Sequence, residues 1–186
     1  IGLYAFLEHT AKDFSRLLQQ ELTPTTAWVI LDLRDNGGGV LEAAKDVLSE
    51  FVEKEKPLVV IRGKNEQDEV LYSAWRRDVA PPLVVLINEN SASASEIVAG
   101  TLQDYTLATI VWKQSYGKGS VQRAITLSDG SELKLTTDHW FTPLGRAIEG
   151  VWVTPDIEVE YTYENFQAGE DPQMDMAKQV IFSTQE

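Results

Sequence analysis

Apolar residues recur along this chain in two rhythms. Ile1 to Phe6 is apolar and β-prone, after which Phe14, Leu17, Leu18 and Leu22 fall on one helical stripe among Asp13, Arg16, Gln19 and Gln20. The pattern predicts a strand and then an amphipathic helix that stops at Pro24. Ala27 to Leu33 is nearly continuous in apolar side chains, as expected of a strand covered on both faces. Gly37-Gly38-Gly39 then predicts a tight turn, and Leu41, Ala44, Val47, Leu48 and Phe51 mark a second helix between Val40 and Lys54. Leu58 to Ile61 and Glu69 to Tyr72 read as modest strands around the polar loop Gly63 to Asp68. Beyond Pro81-Pro82, the buried-looking strand Leu83 to Ile87 runs through Asn88-Glu89-Asn90 into a helix from Ala94 to Leu102. Thr109 to Trp112 is a further strand, and Val121 to Leu127 and Glu132 to Phe141 flank Asp129-Gly130, a hairpin signal. Strands alternating with helices, with an added antiparallel hairpin, indicate an α/β domain.

Composition narrows the functional classes. With 186 residues, 43% hydrophobic and 24% charged, the chain suits one globular domain with an appendage. Asp and Glu outnumber Lys and Arg by 29 to 16, and the resulting charge of −13 repels phosphate backbones, so nucleic acid is not expected as a partner. No apolar run approaches a membrane span, and Ile1-Gly2-Leu3-Tyr4 has neither the basic region nor the cleavage site of a signal peptide. The absence of cysteine excludes disulfides and thiolate catalysis. Eight acidic and no basic residues lie between Arg146 and Lys178, so residues 161–186 read as an acidic tail, extended from Tyr161 to Gln173, with a short helix over Met174 to Phe182. Residues 1–160 form the core domain, with Trp28 and Trp152 as core or interface residues.

If this chain is an enzyme, it must work without the usual histidine base. Only His9 and His139 are present, no spacing matches His-Glu-x-x-His or an EF-hand, and neither a metal nor a cofactor is expected. The glycine turn at 37 to 39 does not meet G-x-G-x-x-G, and Gly117-Lys118 does not meet a P-loop, which disfavours nucleotide binding. Ser93, in Ser91-Ala92-Ser93-Ala94-Ser95-Glu96, sits on a predicted strand-to-helix turn between small alanines, which suits a nucleophile. The same Ser93 and Glu96 also fit a capping box, and local pattern alone favours the cap. Lys118 lies between two glycines with no acid within seven residues on either side. A lysine acts as base toward serine only when its surroundings leave it neutral, and Ser-Lys pairs then dispense with histidine. The glycine turn offers bare N–H groups that join that of Ala94 as an oxyanion hole.

These residues carry a family resemblance. Leu31-Asp32-Leu33-Arg34-Asp35-Asn36-Gly37-Gly38-Gly39 is followed by Pro82 to Asn88, running into Ser91 to Ile97. Next come Tyr116-Gly117-Lys118-Gly119-Ser120-Val121-Gln122, Leu127-Ser128-Asp129-Gly130-Ser131, Thr142-Pro143-Leu144-Gly145-Arg146 and Pro155-Asp156. In this order, to about Val159, the chain resembles the catalytic core of the C-terminal processing peptidases, or tail-specific proteases. The resemblance implies a crotonase-like or Clp-protease-like α/β core, a polypeptide substrate cut near its C-terminus, and a place of work outside the cytoplasm. It implies Ser93 as nucleophile and Lys118 as general base. Gln122 is implied as the residue that holds the lysine, and the N–H groups of Gly38, Gly39 and Ala94 as the oxyanion hole. Family members carry a peptide-binding PDZ domain ahead of a strand resembling Ile1 to Phe6, so the chain reads as a core without its PDZ domain, with a homo-oligomer left open.

Two other classes stay open at this stage. Non-proteolytic relatives with the same core exist among retinoid-binding proteins of the eye, so a silent core that binds peptides at a sheet edge is one alternative. A small-ester acyl hydrolase using the same pair is the other, with the loop Gly63 to Asp68 and Trp140 and Phe141 lining either a peptide groove or an ester pocket.

Overall fold

A computed structural model of the chain describes residues 1–23, 25–63, 68–75 and 81–183. Its first elements are α1 (Thr10–Glu21), β1 (Val29–Asp32), α2 (Leu41–Ser49), β2 (Pro57–Gly63), β3 (Asp68–Tyr72), β4 (Leu83–Ile87) and α3 (Ala94–Asp104). They are followed by β5 (Ala108–Trp112), β6 (Ser120–Thr126), β7 (Glu132–Phe141), β8 (Ile157–Glu158), α4 (Tyr163–Ala168) and α5 (Pro172–Ser183). Two sheets result. One is parallel with order β1-β4-β5-β8, and the other antiparallel with order β3-β2-β7-β6. The α/β class read from the alternation of elements holds, as a mixed fold with both sheet types.

Strand β4 is central because all five of its side chains are buried, and its alternation divides the core. Leu83, Val85 and Ile87 join Leu31, Ala44, Val47, Ile97, Val98 and Leu102 in the main cluster. Val84 and Leu86 point the other way, joining Val111 and Ala177 of α5. A strand covered on both faces has no polar face to write into its sequence, which is why Leu83 to Ile87 is uniformly apolar. Trp28 packs against this second cluster, whereas Trp152 is 39% exposed and is not a core residue.

Several expectations need correction. Ile1 to Phe6 forms no regular strand: Gly2 bridges Asp32 and Phe6 bridges Gly39, so this segment follows β1 and then leaves it for the glycine turn. Helix α2 ends at Ser49, yet Phe51 and Val52 are still buried in the turn beyond it, so the apolar spacing outlasts the helix. Pro24 and most of the Gly63 to Asp68 loop, residues 64–67, lie outside the described residues. The two-residue strand β8 is too short to leave a periodic signal.

Tyr161 to Gln173 is not an extended excursion. Thr162 caps α4 by accepting from the Asn165 N–H, and Gly169 ends it in the left-handed conformation, φ 68°. Asp171 then pairs with Arg34, which also holds Asp32, and Ala177 of α5 is fully buried against the parallel sheet. Burial works against the Arg34 charge, but hydrogen bonds and attraction from Asp32 and Asp171 outweigh it and hold the guanidinium protonated beyond its ordinary range. The acidic tail therefore completes the fold.

Candidate active site

The site follows from the topology. In parallel sheets, ligands gather where loops leave the carboxyl ends of adjacent strands. Here three such loops leave neighbouring strands: the glycine turn after β1, the serine turn after β4, and the lysine loop after β5. The serine turn lies in the middle, so it touches both others. Ala92 N–H donates to the Asn36 carbonyl at 3.0 Å, and Tyr116 N–H donates to the Ser91 carbonyl at 3.0 Å.

Asn36, fully buried, fastens the glycine turn. Its side-chain amide donates to the Leu3 carbonyl at 2.7 Å, its side-chain oxygen accepts from Gly38 N–H at 2.9 Å, and its backbone carbonyl accepts from Ser95 Oγ at 2.8 Å. Gly38 has φ 96°, and a Cβ there would lie 2.6 Å from the Ala92 carbonyl oxygen and 2.8 Å from Ser93 Cβ. Only glycine permits that approach. Among the sequence-predicted oxyanion donors, then, Gly38 is buried with its N–H spent on Asn36. Gly39 and Ala94 line the cavity, and no acceptor for their N–H groups appears among the described residues.

Ser93 opens α3 at φ 55° and ψ −115°, outside the extended backbone that helix caps ordinarily use. A non-glycine residue held there costs on the order of 1–3 kcal/mol, a cost met where a side chain must be aimed. Both readings of the serine turn therefore have a basis: Ser93 and Glu96 stand as a capping box, and the backbone is strained beyond what a cap requires.

Glu96 does more than cap, and this the sequence reading missed. Its side chain is buried in a residue with no exposed surface, and four donors converge on it. Oε2 accepts from the Ser93 N–H at 2.8 Å and the Lys118 N–H at 2.9 Å, while Oε1 accepts from Ser115 Oγ at 2.5 Å and the Gly117 N–H at 2.7 Å. One carboxylate thus ties the serine turn to the lysine loop. Its only sequence signal was the capping spacing, because the loop it binds lies about twenty residues away in the chain. On the other side of the loop, Trp140 Nε1 donates to the Lys118 carbonyl at 3.1 Å.

Ser93, Lys118 and Gln122 line one cavity of about 350 Å³ together with Gly39 and Ala94. Its apolar wall is Leu41, Ile97, Val121 and Trp140, and Lys134 closes one side. Of the residues read as groove-lining, Trp140 is in this wall, whereas the Phe141 ring lies under the Arg62 guanidinium, 4.8 Å from it. No described helix is long and apolar enough to cross a membrane.

A parallel and an antiparallel sheet, with a serine on a strand-to-helix turn lining a cavity beside them, make a mixed α/β core. The chain belongs to peptidase family S41, whose family model matches residues 1–159. It is 43% identical over 169 residues to a carboxy-terminal-processing protease of Bartonella bacilliformis, covering 86% of this chain and 39% of the relative. It is 36% identical to the carboxy-terminal processing protease CtpB of Bacillus subtilis, covering 91% of this chain and 35% of that one. The chain thus spans less than two fifths of the length of these relatives. Among solved structures, the photosystem II D1 C-terminal processing protease superposes with TM-score 0.75 at 34% identity, over 86% of this chain and 41% of the other. The tricorn protease, at 22% identity and TM-score 0.74, covers all of this chain and 18% of its own, and shares the fold.

Proposed function

We propose that this chain is the catalytic core of a serine peptidase that cuts polypeptides near their C-terminus with a Ser-Lys pair. The observation that carries the reading is the single cavity walled by Ser93, Lys118, Gln122, Gly39 and Ala94. Ser93 Oγ attacks the scissile carbonyl while the free amine of Lys118 takes its proton. Charge developing on the carbonyl oxygen is met by the N–H groups of Gly39 and Ala94, which have no other acceptor among the described residues to give up. The tetrahedral adduct collapses as Lys118 returns the proton to the leaving amine, giving an acyl ester on Ser93. Lys118 then deprotonates a water that attacks the ester, and the product carboxylate departs as Oγ regains its proton. Gln122, on the same cavity wall, steadies the amine.

Among the described residues no carboxylate pairs with the Lys118 amine, which leaves it available as a base. An open cavity between α2, α3 and the β6–β7 hairpin admits an extended chain more readily than it encloses a small ester. The test is hydrolysis of an unstructured polypeptide, read by intact mass, for the parent chain beside Ser93→Ala and Lys118→Ala. Cutting by the parent alone is the expected result. Equal cutting by all three would remove the pair from the mechanism. Cleavage of a small activated ester without any peptide cleavage would make the protein an ester hydrolase.

A further inference from the structure

Resting on the peptidase reading, we propose that Lys134 is a specificity-determining residue of this cavity, receiving a carboxylate of the substrate chain. The carboxylate is either the free C-terminus or the side chain of an Asp or Glu. Hairpin register places the lysine. Gln122 pairs with Thr136 and Ala124 with Lys134, and alternate residues of a strand share a face, so these four point to one side. Gln122 and Lys134 both line the cavity, which identifies that side. The opposite side carries Ile125, Leu133 and Leu135.

Charge singles the cavity out. The chain carries a formal charge of −13, and cavities elsewhere on it each carry at least one acid: Glu53 beside Lys56 in one, Asp156 in another, and Asp32, Asp35, Glu170 and Asp171 around Arg34 in a third. The cavity at Ser93 holds no Asp or Glu among its lining residues, but it holds two lysines. One of them, Lys118, is the base of the proposed mechanism, which leaves Lys134 as the lysine to meet a substrate carboxylate. Other basic side chains of the same sheet are matched internally, Arg62 with Asp68 at 2.7 Å and Arg123 with Asp138 at 3.6 Å. Lys134 has no ion-pair partner among the described residues, and Glu132, two positions away on its own face, is not in the cavity wall.

An acidic protein repels an anionic peptide overall, so one unmatched cation beside the reacting groups favours the binding pose that brings a carboxylate to it. Lys134 stands one pleat repeat from the Gln122–Thr136 rung, about 7 Å along the hairpin, the reach of about two extended residues. The favoured carboxylate therefore lies within a few residues of the scissile bond.

The experiment compares one unstructured peptide with its C-terminus free or amidated, and with Glu, Gln or Lys scanned through the three positions on either side of the cut. The enzymes are the parent, Lys134→Arg, Lys134→Gln, Lys134→Glu and the Ser93→Ala control. The parent is expected to favour one carboxylate-bearing form over its neutral counterpart by about tenfold in kcat/KM, the scale of a hydrogen bond to a charged group. Lys134→Arg should keep the preference, Lys134→Gln should lose it, and Lys134→Glu should favour Lys at the same position. Which form is favoured tells the C-terminus from a side chain. Equal rates for all forms, or a preference unchanged in Lys134→Gln, overturn the inference while leaving the peptidase reading intact. If the parent cuts nothing, the peptidase reading falls instead. Equilibrium binding of the peptide forms to Ser93→Ala then decides the inference, and equal affinities overturn it.

Discussion

Glu96→Gln separates a carboxylate that organises the site from one that merely caps a helix. Each of the four groups around Glu96 is a donor, three of them backbone N–H groups. Glutamine replaces one acceptor oxygen by an NH₂ that only donates. Placed at Oε2, the NH₂ would face the N–H groups of both Ser93 and Lys118. Placed at Oε1, it opposes the Gly117 N–H, and the buried Ser115 hydroxyl, which already accepts from the Val153 N–H, can accept from the NH₂ only if its own proton gives up its acceptor. The second orientation leaves one buried N–H and one buried O–H unsatisfied, a cost of about 1–3 kcal/mol each. The two bonds kept at Oε2 fall from charge-assisted to neutral, losing about half their strength, or roughly 1 kcal/mol each. The sum is about 4–8 kcal/mol, a large fraction of the roughly 5–15 kcal/mol that holds a domain together. Urea unfolding should show this drop in a chain that still folds, and peptide cleavage should fall by at least about a hundredfold, since a shift on the order of 1 Å at the reacting groups costs that much. A Glu96→Gln chain with parental stability and parental cleavage would refute the argument that this carboxylate couples the serine turn to the lysine loop.

Two further outcomes follow from the same geometry. Ser93→Gly and Ser93→Ala both remove the nucleophile, but only glycine also relieves φ 55°. About 1–3 kcal/mol of strain, less roughly 0.5–1 kcal/mol of extra chain entropy, should leave the glycine chain more stable by about 1 kcal/mol in urea unfolding, and an equally stable pair would show the turn to be unstrained. Asp35, which accepts from the side-chain amides of Asn90 and Asn88, has its carboxyl held below the usual range by those bonds, against a smaller opposing effect of burial. Its folded value is depressed, so its stabilising contribution is present above the unfolded value of about 3.9 and is lost as pH falls through the folded one. Asp35→Asn, which tolerates the same φ of 58°, should lower the urea midpoint at pH 7 and match the parent in strong acid. A deficit independent of pH would contradict it.

Legibility in the sequence divided along physical lines. Strands such as Leu83 to Ile87 and helices such as Thr10–Glu21 announce themselves because burial imposes a local period, and periods are visible without partners. Ser93, Lys118 and Gln122 were nominated from residue type, loop context and family resemblance, and the fold brings all three to one cavity. Glu96 and Asn36 were not nominated for their roles, because each acts through bonds to backbone groups distant in sequence, which leave no pattern in side chains. Gly38 was read as a donor because a bare N–H looks free in sequence, and only the fold shows the Asn36 oxygen accepting from it. The tail was misread for a related reason. Its acidic run suggested solvation, while the residues that decide its course, Thr162, Gly169, Asp171 and Ala177, are single contacts without a period.

The placement of the site also explains why strain at Ser93 can be tolerated. A residue at φ 55° persists only where its surroundings over-determine it. On one side the Ser93 N–H is held by Glu96, and on the other Gly38 comes so near that a Cβ there would lie 2.8 Å from Ser93 Cβ and 2.9 Å from the Ala94 nitrogen. Below it, β4 is buried on both faces, so the turn has no slack to relax into. Glu96 and Asn36 are both inaccessible to solvent, and their bonds face little competition from water. Rigid support beneath and two buried polar clamps at the sides fix the backbone of Ser93, and the backbone of Lys118 is fixed by the same carboxylate. Serine and lysine are therefore positioned by one group, and their geometry should be lost together when that group is changed.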